Sequence, residues 1–349
     1  MDHNESVLEF ALDTFGDITS DQAGNLVPHA QVIRDVVEEA VLADGLGIDA
    51  FGVGEHHRDD FAISAPEIVL AAIASRTQRI RLATAVTVLS SDDPVRVFER
   101  FATLDALSRG RGEIILGRGS FTESFPLFGY SLEQYEELFD EKLDLLAALL
   151  EEGPVTWEGR LRSGLKEQEV YPKTESGHIR TWIGVGGSPE SVVRAAHYRM
   201  PLMLAIIGGQ PQRFGPFVEL YERVLEQQGD APLPVGVHSP GHIAETDQRA
   251  REELWPHYRR LHDRIGRERG WGPTTRDRFE AEADQGSLYV GSPETVAAKI
   301  ARTIQTLRID RFEMKYSCAT LPHDKLMTSI GLYAEQVIPR VRQLLQGPR

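Results

Sequence analysis

Short runs of β-branched and other apolar residues alternate with longer amphipathic segments along the chain. The segment that follows the first apolar run, 28–47, repeats its apolar residues at the spacing of one helix face. Apolar runs typical of strands lie within 7–15, 48–55, 80–89, 112–119, 181–187, 201–209, 232–245 and 311–317. Eight strands and eight helical segments predict an α/β protein, a (β/α)8 TIM barrel, rather than an open doubly wound sheet.

Two segments interrupt this alternation, and both are predicted to be insertions at the C-terminal rim of the barrel. Residues 154–180 are mixed, polar and strand-like only in patches, whereas 266–287 have the composition of a mobile loop. The chain, 1–349, is therefore predicted to form a single domain with two insertions. The alternative fold is two Rossmann-like halves, but no G-x-G-x-x-G follows a strand near the start.

Composition narrows the range of partners. The 53 Asp and Glu residues outnumber the 38 Lys and Arg residues, and the resulting net charge of -15 argues against a general affinity for nucleic acid or anionic membranes. No apolar run approaches the roughly 20 residues that span a bilayer. The single cysteine, Cys318, rules out an internal disulfide and fits a reducing compartment. Because the first residues, MDHNESVLEFALD, lack the pattern of an export signal, we expect a cytoplasmic protein.

The C-terminal ends of the predicted strands are unusually polar or rich in glycine. In a TIM barrel these ends form the active site. The residues at the predicted strand ends are Asp13, Thr14, Glu55, His56, His57, Thr84, Ala85, Val86, Gly117, Arg118, Gly119, Gly186, Gly187, Ser188, Gly208, Gly209, His238, Lys315 and Tyr316. Glycine at a strand end lets a ligand approach the backbone closely.

The segment GVGGSPESVVRAA, residues 184–196, has the pattern of an anion site. A strand ends in Gly186 and Gly187, and a helix begins beside Ser188 and Ser191. Unpaired amide groups and the helix dipole at such an N-terminus favour a phosphate. An ordinary helix cap with proline in the first turn explains the same residues equally well.

Arg118 stands between two glycines at a predicted strand end. Its guanidinium could pair with a phosphate, a carboxylate or the electron-rich edge of a ring, or it could form a structural ion pair. The neighbouring strand carries the small residues of ATAVTVL, 83–89, which could form the floor under a flat ring system or simply pack a barrel core.

The sequence GEHH, 54–57, first suggests a metal site. Adjacent residues on a strand point to opposite faces, so His56 and His57 cannot both line one pocket while the strand continues. No H-x-H and no other clustered ligands occur in the sequence, which disfavours a metal site. One histidine facing a pocket could act in proton transfer, or it could be satisfied by a neighbouring helix cap.

These residues resemble the bacterial luciferase-like flavin-dependent monooxygenases. The ordered motifs are GEHH, DPVRVFERFATLDALSRGRGEIILGRG and GGSPESV, and the resemblance extends from LEFALDTFGD to RFEMKYS. It implies a TIM barrel with an insertion at the rim, a homodimer, and FMN or reduced FMN as a loosely bound co-substrate. A separate reductase often supplies the reduced flavin in this family.

The resemblance also implies roles for individual residues. It places the catalytic histidine at His56, a guanidinium beside the flavin phosphate or ring at Arg118, and the floor under the ring at Ala85 and Val86. The implied phosphate site consists of Gly186, Gly187, Ser188, Ser191 and Val192, edged by Gly208 and Gly209. Thr14 and Thr84 complete the predicted cofactor-binding residues. The family's luciferases carry a reactive cysteine at the position of Gly117, so thiol chemistry at the flavin is not expected.

The resulting hypothesis is a monooxygenase that uses reduced FMN and O2 to oxygenate a small organic substrate under a lid formed by 266–287. His56 is expected to act in proton transfer, held by Glu55 or by a backbone group. One alternative is a deazaflavin-dependent hydride transferase. A second is an FMN-dependent reductase that uses a nicotinamide directly, and a third is a non-catalytic flavin-binding protein.

Overall fold

Strands and helices alternate along the part of the chain that the computed structural model describes, residues 8–119 and 121–346. The strands are β1 (Glu9–Thr14), β2 (Ala50–Val53), β3 (Arg81–Thr84), β4 (Thr87–Val88), β5 (Gly112–Gly117), β6 (Val155–Trp157), β7 (Leu165–Gln168), β8 (Arg180–Val185), β9 (Leu202–Ala205), β10 (Val235–Ile243), β11 (Tyr289–Gly291) and β12 (Arg311–Lys315). The helices are α1 (His29–Leu46), α2 (Pro66–Ala74), α3 (Pro94–Ser108), α4 (Ser124–Phe128), α5 (Tyr135–Leu150), α6 (Pro189–His197), α7 (Gly215–Gln228), α8 (Asp247–Arg269), α9 (Arg276–Asp284), α10 (Pro293–Leu307), α11 (His323–Leu332) and α12 (Ile338–Leu345). Val7, predicted in the first strand, and both ends of the predicted domain 1–349 lie outside the described residues.

Eight parallel strands close into a barrel. The hydrogen-bonded order is β12, β1, β2, β3, β5, β8, β9, β10, and β10 pairs again with β12. Apolar side chains between this barrel and the surrounding helices form one continuous core. The predicted (β/α)8 TIM barrel is therefore confirmed.

The wall helices begin at the C-terminal mouth of the barrel, and short polar residues fix their first turns. Asp93 accepts hydrogen bonds from the amides of Val95 and Arg96 at the start of α3. Ser188 and Ser292 cap α6 and α10 in the same way, each with proline at the next position. These caps set where each helix starts, and so place the amide groups of the helix N-termini around the mouth.

An ionic layer closes the opposite end of the barrel interior. Arg311 is fully buried and binds Glu113 through two hydrogen bonds of 2.7 and 3.0 Å. Its Nε donates to Glu9 at 2.7 Å, and Arg180 reaches both carboxylates. The Trp182 ring lies 4.6 and 4.7 Å below the guanidinium groups of Arg180 and Arg311. Every charge in this layer has a partner, as burial requires.

The first insertion enters from the N-terminal end of the barrel, since it joins the end of α5 to the start of β8. Its strands β6 and β7 form an antiparallel hairpin along α5. Trp157 donates to Asp144 in the middle of α5, and Arg162 near the hairpin tip donates to Asp93 at 2.8 Å. Only the tip of the predicted rim insertion 154–180 therefore reaches the C-terminal rim.

The second insertion differs from the prediction of a loop over 266–287. Residues 266–269 end α8, and α9 occupies half of the remainder. Thr275 caps α9, and the buried Phe279 packs against Trp255 and Tyr258 of α8. The helix α10, not α8, packs between α7 and α12 in the wall, so α8, α9 and β11 together form the insertion.

Within the described residues no helix combines the length and apolar character needed to cross a membrane.

Candidate active site

Small residues on neighbouring strands form the floor of the barrel mouth. The inward positions near the ends of β2, β3, β5 and β8 are Gly52, Gly54, Ala85, Gly117 and Gly184. Methyl groups of Val86 fill the space beside Gly117 and Gly184, where an added Cβ would lie 2.4 and 3.4 Å from them. The absence of larger side chains at these positions leaves a flat surface on which a planar ring could lie.

The strand end 84–86 is divided between two faces. The peptide bond between Ala85 and Val86 is cis. Thr84 is buried between β3 and β5, where its hydroxyl accepts hydrogen bonds from the Thr87 hydroxyl at 2.9 Å and the Ile115 amide at 3.3 Å. Ala85 and Val86 thus lie at the mouth, whereas the predicted cofactor ligand Thr84 does not, because alternation turns it outward.

Thr14 is likewise committed to the fold. Its hydroxyl donates to Ser317 at 2.8 Å and accepts from the Gly16 amide at 3.0 Å. Thr14 is buried, and the residue before it on β1, Asp13, takes the inward position. The Thr14 hydroxyl, predicted to bind the cofactor, is therefore already hydrogen-bonded within the fold and does not face the mouth.

Aromatic rings surround His56 at the mouth. The ring centroids of Phe61, Phe15 and Phe121 lie 4.4, 4.6 and 5.2 Å from that of His56. The His56 backbone amide donates to Ile63 at 3.0 Å, and no hydrogen bond to its ring nitrogens occurs within residues 8–119 and 121–346. Burial lowers the pKa of His56 from 6.5 to about 3, so its imidazole is neutral near neutral pH.

We expect the His56 ring to remain unprotonated over about pH 5 to 8, unlike an ordinary histidine. Because its folded pKa lies below the unfolded value, the unfolded state binds the proton first, and stability falls as the pH drops below 6.5 toward 3. The pH titration of its ring proton by NMR, assigned with His56→Gln, checks this. A midpoint between about 6 and 7 contradicts the account.

Glu55 pairs with His57 and not with His56. Its Oε1 lies 2.9 Å from His57 Nε2, and its Oε2 accepts from the Val88 amide at 3.2 Å. The prediction that Glu55 or a backbone group holds His56 is corrected for Glu55, since the carboxylate and the His56 ring leave the strand end in different directions. Glu55 instead ties the end of β2 to β4.

Arg58 joins three segments over the mouth. Its side chain is 6% exposed and binds Asp60 beside it, Glu123 before α4 and Glu268 at the end of α8. The guanidinium also lies 4.6 Å from the centroid of Phe121. These contacts fasten α8 across the side of the mouth that contains His56.

Replacing Arg58 by glutamine should loosen this cover. The three carboxylates lose their shared cation, and we expect amide hydrogen exchange at the end of α8 to accelerate about tenfold. Arg249→Gln is the matched control, because the partners of Arg249 among the described residues are Glu245 and Glu253, close to it in sequence. Equal exchange in both variants contradicts a fastening role for Arg58.

The N-terminus of α6 offers an anion site at the edge of the floor. Ser188 caps the helix and accepts from the Ser191 amide at 3.3 Å, while the Ser191 hydroxyl accepts from Arg194 at 3.3 Å. A Cβ added at Gly186 or Gly187 would meet nothing within 4 Å, so both glycines face open space. The structure brings these predicted phosphate-site residues together.

Two guanidinium groups lie at this edge, and both are paired: Arg194 Nε lies 2.6 Å from Asp140, and Arg118 contacts Glu136. The Ser188 hydroxyl bond is the main reason that the pKa of Glu190 lies below its ordinary value, and Arg118 and Arg194 contribute through their charges. Arg118 pairs with the more exposed Glu136, and its guanidinium lies 5.4 Å from the centroid of Tyr135. Arg118 therefore forms an ion pair and also places a cation at the end of β5, the two alternatives that the sequence left open.

The remaining predicted phosphate residues differ in availability. Val192 is fully buried in the core, and its amide already donates to the Ser188 carbonyl. The Gly209 amide donates to both carboxylate oxygens of Glu282 on α9, at 3.0 and 3.1 Å. Gly208 has open space around its Cα. One of the amides predicted to face a phosphate thus already donates to a carboxylate of the second insertion.

Below the floor, the structure brings together Asp13, His238 and Glu313. Possible ligand atoms of these three buried residues lie within 4.8 Å of one another. Asp13 and His238 belonged to the predicted strand ends, but Glu313 did not. The sequence feature that could have identified Glu313 is an acidic residue at an inward position of the buried strand β12. Burial and the Asp13 charge raise the pKa of Glu313, which favours a protonated, hydrogen-bonded cluster over a set of metal ligands.

A separate cleft of about 800 Å³ lies at the N-terminal end of the barrel. Arg81, Gly112 and Arg180, at the starts of their strands, contribute to its lining. It lies away from the strand ends on which TIM barrels place their chemistry, so the mouth remains the candidate active site.

Comparison with known sequences assigns the chain to a protein family. The sequence profile described as luciferase-like monooxygenase matches residues 13–311. The chain belongs to the luciferase-like monooxygenase family. It is accordingly an oxidoreductase, and the resemblance found in the sequence is confirmed.

Relatives of this luciferase-like chain include proteins of known and unknown activity. An uncharacterised protein of Sinorhizobium fredii is 25% identical over 97% of the chain and 99% of its own length. The N-acetyl-S-alkylcysteine monooxygenase of Bacillus subtilis is 29% identical over 62% of the chain and 61% of its own length. The luciferase-like chain thus spans about three fifths of this named monooxygenase.

Solved structures share the fold of the luciferase-like chain. The monooxygenase RslO1 of Streptomyces bottropensis has a TM-score of 0.81 at 23% identity, over 95% of the chain and 99% of its own. The oxygenating constituent of 3,6-diketocamphane monooxygenase of Pseudomonas putida, in complex with FMN, has a TM-score of 0.75 at 20% identity, over 96% and 99%. The coenzyme F420-dependent tetrahydromethanopterin reductase of Methanopyrus kandleri has a TM-score of 0.73 at 18% identity, over 96% and 99%.

Proposed function

We propose that the chain is a flavin-dependent monooxygenase that uses reduced FMN and O2 to oxygenate a small organic substrate. The observation that carries this proposal is the junction of a flat floor with an anion site. The floor at Ala85, Val86 and Gly117 can support a planar ring, and the N-terminus of α6 lies at its edge with Arg118 and Arg194. A ring that bears a phosphate on a flexible chain matches both parts.

The residues present fit this group. Gly186, Gly187 and Gly208 leave open space where side chains would stand, and Ser188 and Ser191 offer hydroxyl groups beside it. Bound reduced FMN would supply the two electrons that reduce O2. The first contact to change on phosphate binding is the ion pair of Arg118 with Glu136, because the Glu136 carboxylate is largely exposed.

The chain's own contribution is positioning and water exclusion. The rings of Phe15, Phe61 and Phe121 form an apolar wall, and the second insertion covers it through Arg58. A covered apolar site limits access of water to the reacting atoms. His56, neutral in this wall, is suited to hydrogen-bond a reactive oxygen rather than to supply a proton.

A deazaflavin cofactor is the second candidate. The F420-dependent reductase shares the fold, and a deazaflavin also carries a phosphate on the chain of a planar ring. The two remaining alternatives are direct nicotinamide-dependent reduction of FMN and flavin binding without catalysis. The homodimer, the separate reductase and the cytoplasmic location stay predictions.

Anaerobic titration with reduced FMN, reduced deazaflavin and oxidised FMN distinguishes these candidates. We expect saturable binding of reduced FMN with the highest affinity of the three. NADH added to the protein with oxidised FMN should not be consumed without a partner reductase. Preference for the reduced deazaflavin would replace the proposal by the second candidate.

A further inference from the structure

A buried hydrogen bond joins a carboxylate to a histidine under the mouth. His238 Nδ1 lies 2.8 Å from Asp13 Oδ2, and Asp13 is fully buried. His238 faces inward on β10, where its neighbour in register on β12 is Glu313. The His238 side chain is 11% exposed, and Asp13 alone among the described residues bonds its ring. Its other ring nitrogen, Nε2, is therefore free to meet a bound reactant.

Three oxygen atoms in this cluster lack a partner among the described residues. They are Asp13 Oδ1 and both carboxylate oxygens of Glu313. Such buried acceptors are costly without a donor. A single proton on Glu313 gives two of these three oxygens a hydrogen bond, since the resulting O–H can donate to Asp13 Oδ1. Gly52 makes room for the acid, because a Cβ added there would lie 2.9 Å from Glu313 Oε1.

The electrostatics agree with this proton position. Burial raises the pKa of Glu313 well above its ordinary value, and the neighbouring charge of Asp13 raises it further against the opposing charge of Arg311. A neutral Glu313 donates to Asp13, so Asp13 can remain a carboxylate that accepts from both sides. His238 then carries its proton on Nδ1 and exposes Nε2 as an acceptor.

We propose that His238 is the proton-transfer residue of the active site, positioned by Asp13, which a protonated Glu313 holds in turn. This inference rests on the proposed function. His238 Nε2 accepts a proton from the bound reactant, and the Asp13 carboxylate stabilises the imidazolium formed. With reduced FMN and O2, this would be a proton that the flavin loses on oxidation, and Nε2 would return it to the oxygen that the two flavin electrons reduce to H2O2. The second proton of H2O2 would come from reduced FMN or solvent directly, so no proton is gained or lost by the protein.

The charged surroundings of His238 are few. From β12 they are Glu313 and Lys315, and from β1 and the loop after it Asp13 and Asp17. Lys315 is paired with Asp17 at 2.9 Å. Across the Phe15 ring, which stacks on His238 at 6.1 Å between centroids, lies the neutral His56. His238, not His56, has the buried carboxylate partner that proton transfer uses.

The proton positions can be measured without any cofactor. In protein labelled with 15N-histidine, we expect the signal that His238→Gln removes to show the Nδ1–H tautomer. Glu313→Gln should retain it, because the amide N–H of glutamine replaces the O–H donor. Asp13→Asn should move the proton to Nε2, because the Asn oxygen accepts from Glu313 and its N–H then donates to His238 Nδ1. An Nε2–H tautomer for His238 in the wild type overturns the proposal.

The catalytic part is tested with reduced FMN and O2, which yield FMN and H2O2 as two electrons and two protons pass to O2. We expect His238→Gln and Asp13→Asn to slow oxidation of the bound reduced FMN about 100-fold. Glu313→Gln should stay within about threefold of the wild type, whereas Glu313→Leu should behave like Asp13→Asn. The affinity for reduced FMN should remain within about threefold in all variants.

His323→Gln is the matched control, because His323 Nδ1 also lies 2.8 Å from a carboxylate, that of Glu39, but outside the mouth. Oxidation in the control should equal that of the wild type. A His238→Gln rate equal to the wild-type rate overturns the proton-transfer role. If the wild type binds no reduced FMN, the proposed function fails instead, and the tautomer measurement alone decides whether the hydrogen-bonded chain exists.

Discussion

Replacing Arg311 by methionine lowers the free energy of unfolding by about 3–5 kcal/mol. Burial pushes the pKa of Glu113 up, but Arg311, Arg180 and Arg81 bring it below its ordinary value, so Glu113 is charged. Without Arg311, this fully buried carboxylate loses both of its short hydrogen bonds. Denaturant unfolding at neutral pH measures the loss. The loss should shrink as the pH falls below the ordinary pKa of 4.5 and vanish only below the lowered pKa of folded Glu113, where the carboxyl is protonated in both states.

Two further variants separate this explanation from a general loss of packing. Arg308→Met removes an exposed arginine paired with Glu222 and should cost about 0–1 kcal/mol. The double variant Arg311→Met with Glu113→Gln should be more stable than Arg311→Met alone, because no buried charge is left without a partner. A loss below about 1 kcal/mol in Arg311→Met would show that the ionic layer does not hold the barrel together.

Replacing Arg118 by alanine weakens binding of reduced FMN about 10- to 100-fold, the range of one hydrogen-bonded charge pair. Binding of reduced riboflavin, which lacks the phosphate, should change less than about threefold. Arg118 and Arg194 approach the N-terminus of α6 together, and both act on the carboxylate of Glu190 there. Isothermal titration under anaerobic conditions gives both affinities.

Arg199→Ala is the control for a general effect of charge. Arg199 is mostly exposed and pairs with Asp230 at the far end of α6. We expect its removal to leave both affinities unchanged. If FMN and riboflavin lose affinity in parallel in Arg118→Ala, the arginine acts on the ring or on the fold rather than on the phosphate.

The barrel and the capped start of α6 at its mouth could be predicted because their signals are local. Alternation of apolar runs with helical segments marks each unit, and the ends of the strands then follow. The sequence GGSPES places two glycines, a cap and a proline at one helix start, and the structure keeps them together. Strand alternation, which already placed His56 and His57 on opposite faces, also turns Thr14 and Thr84 away from the mouth. Both could therefore have been left out of the predicted cofactor-binding residues.

The remaining features depend on contacts that the sequence does not contain. The Asp13–His238–Glu313 cluster needs the register of β1, β10 and β12, because Asp13 and His238 lie 225 positions apart and Glu313 is more distant still. Helix α9 has a weak pattern, since only Phe279 and Ala283 of its nine residues are buried. It becomes a helix because Phe279 packs on the neighbouring α8. Side-chain geometry at the end of β2 decides that Glu55 contacts His57 rather than His56.

The central claim is that the mouth of this barrel holds reduced FMN and brings it to O2. Oxygen uptake after air is admitted to protein saturated anaerobically with reduced FMN tests it most directly. We expect uptake of one O2 for each reduced FMN bound, at a rate that differs from that of free reduced FMN and that His238→Gln slows. A complex whose uptake matches free reduced FMN in both proteins, or a protein that binds only the reduced deazaflavin and takes up no O2, would contradict it.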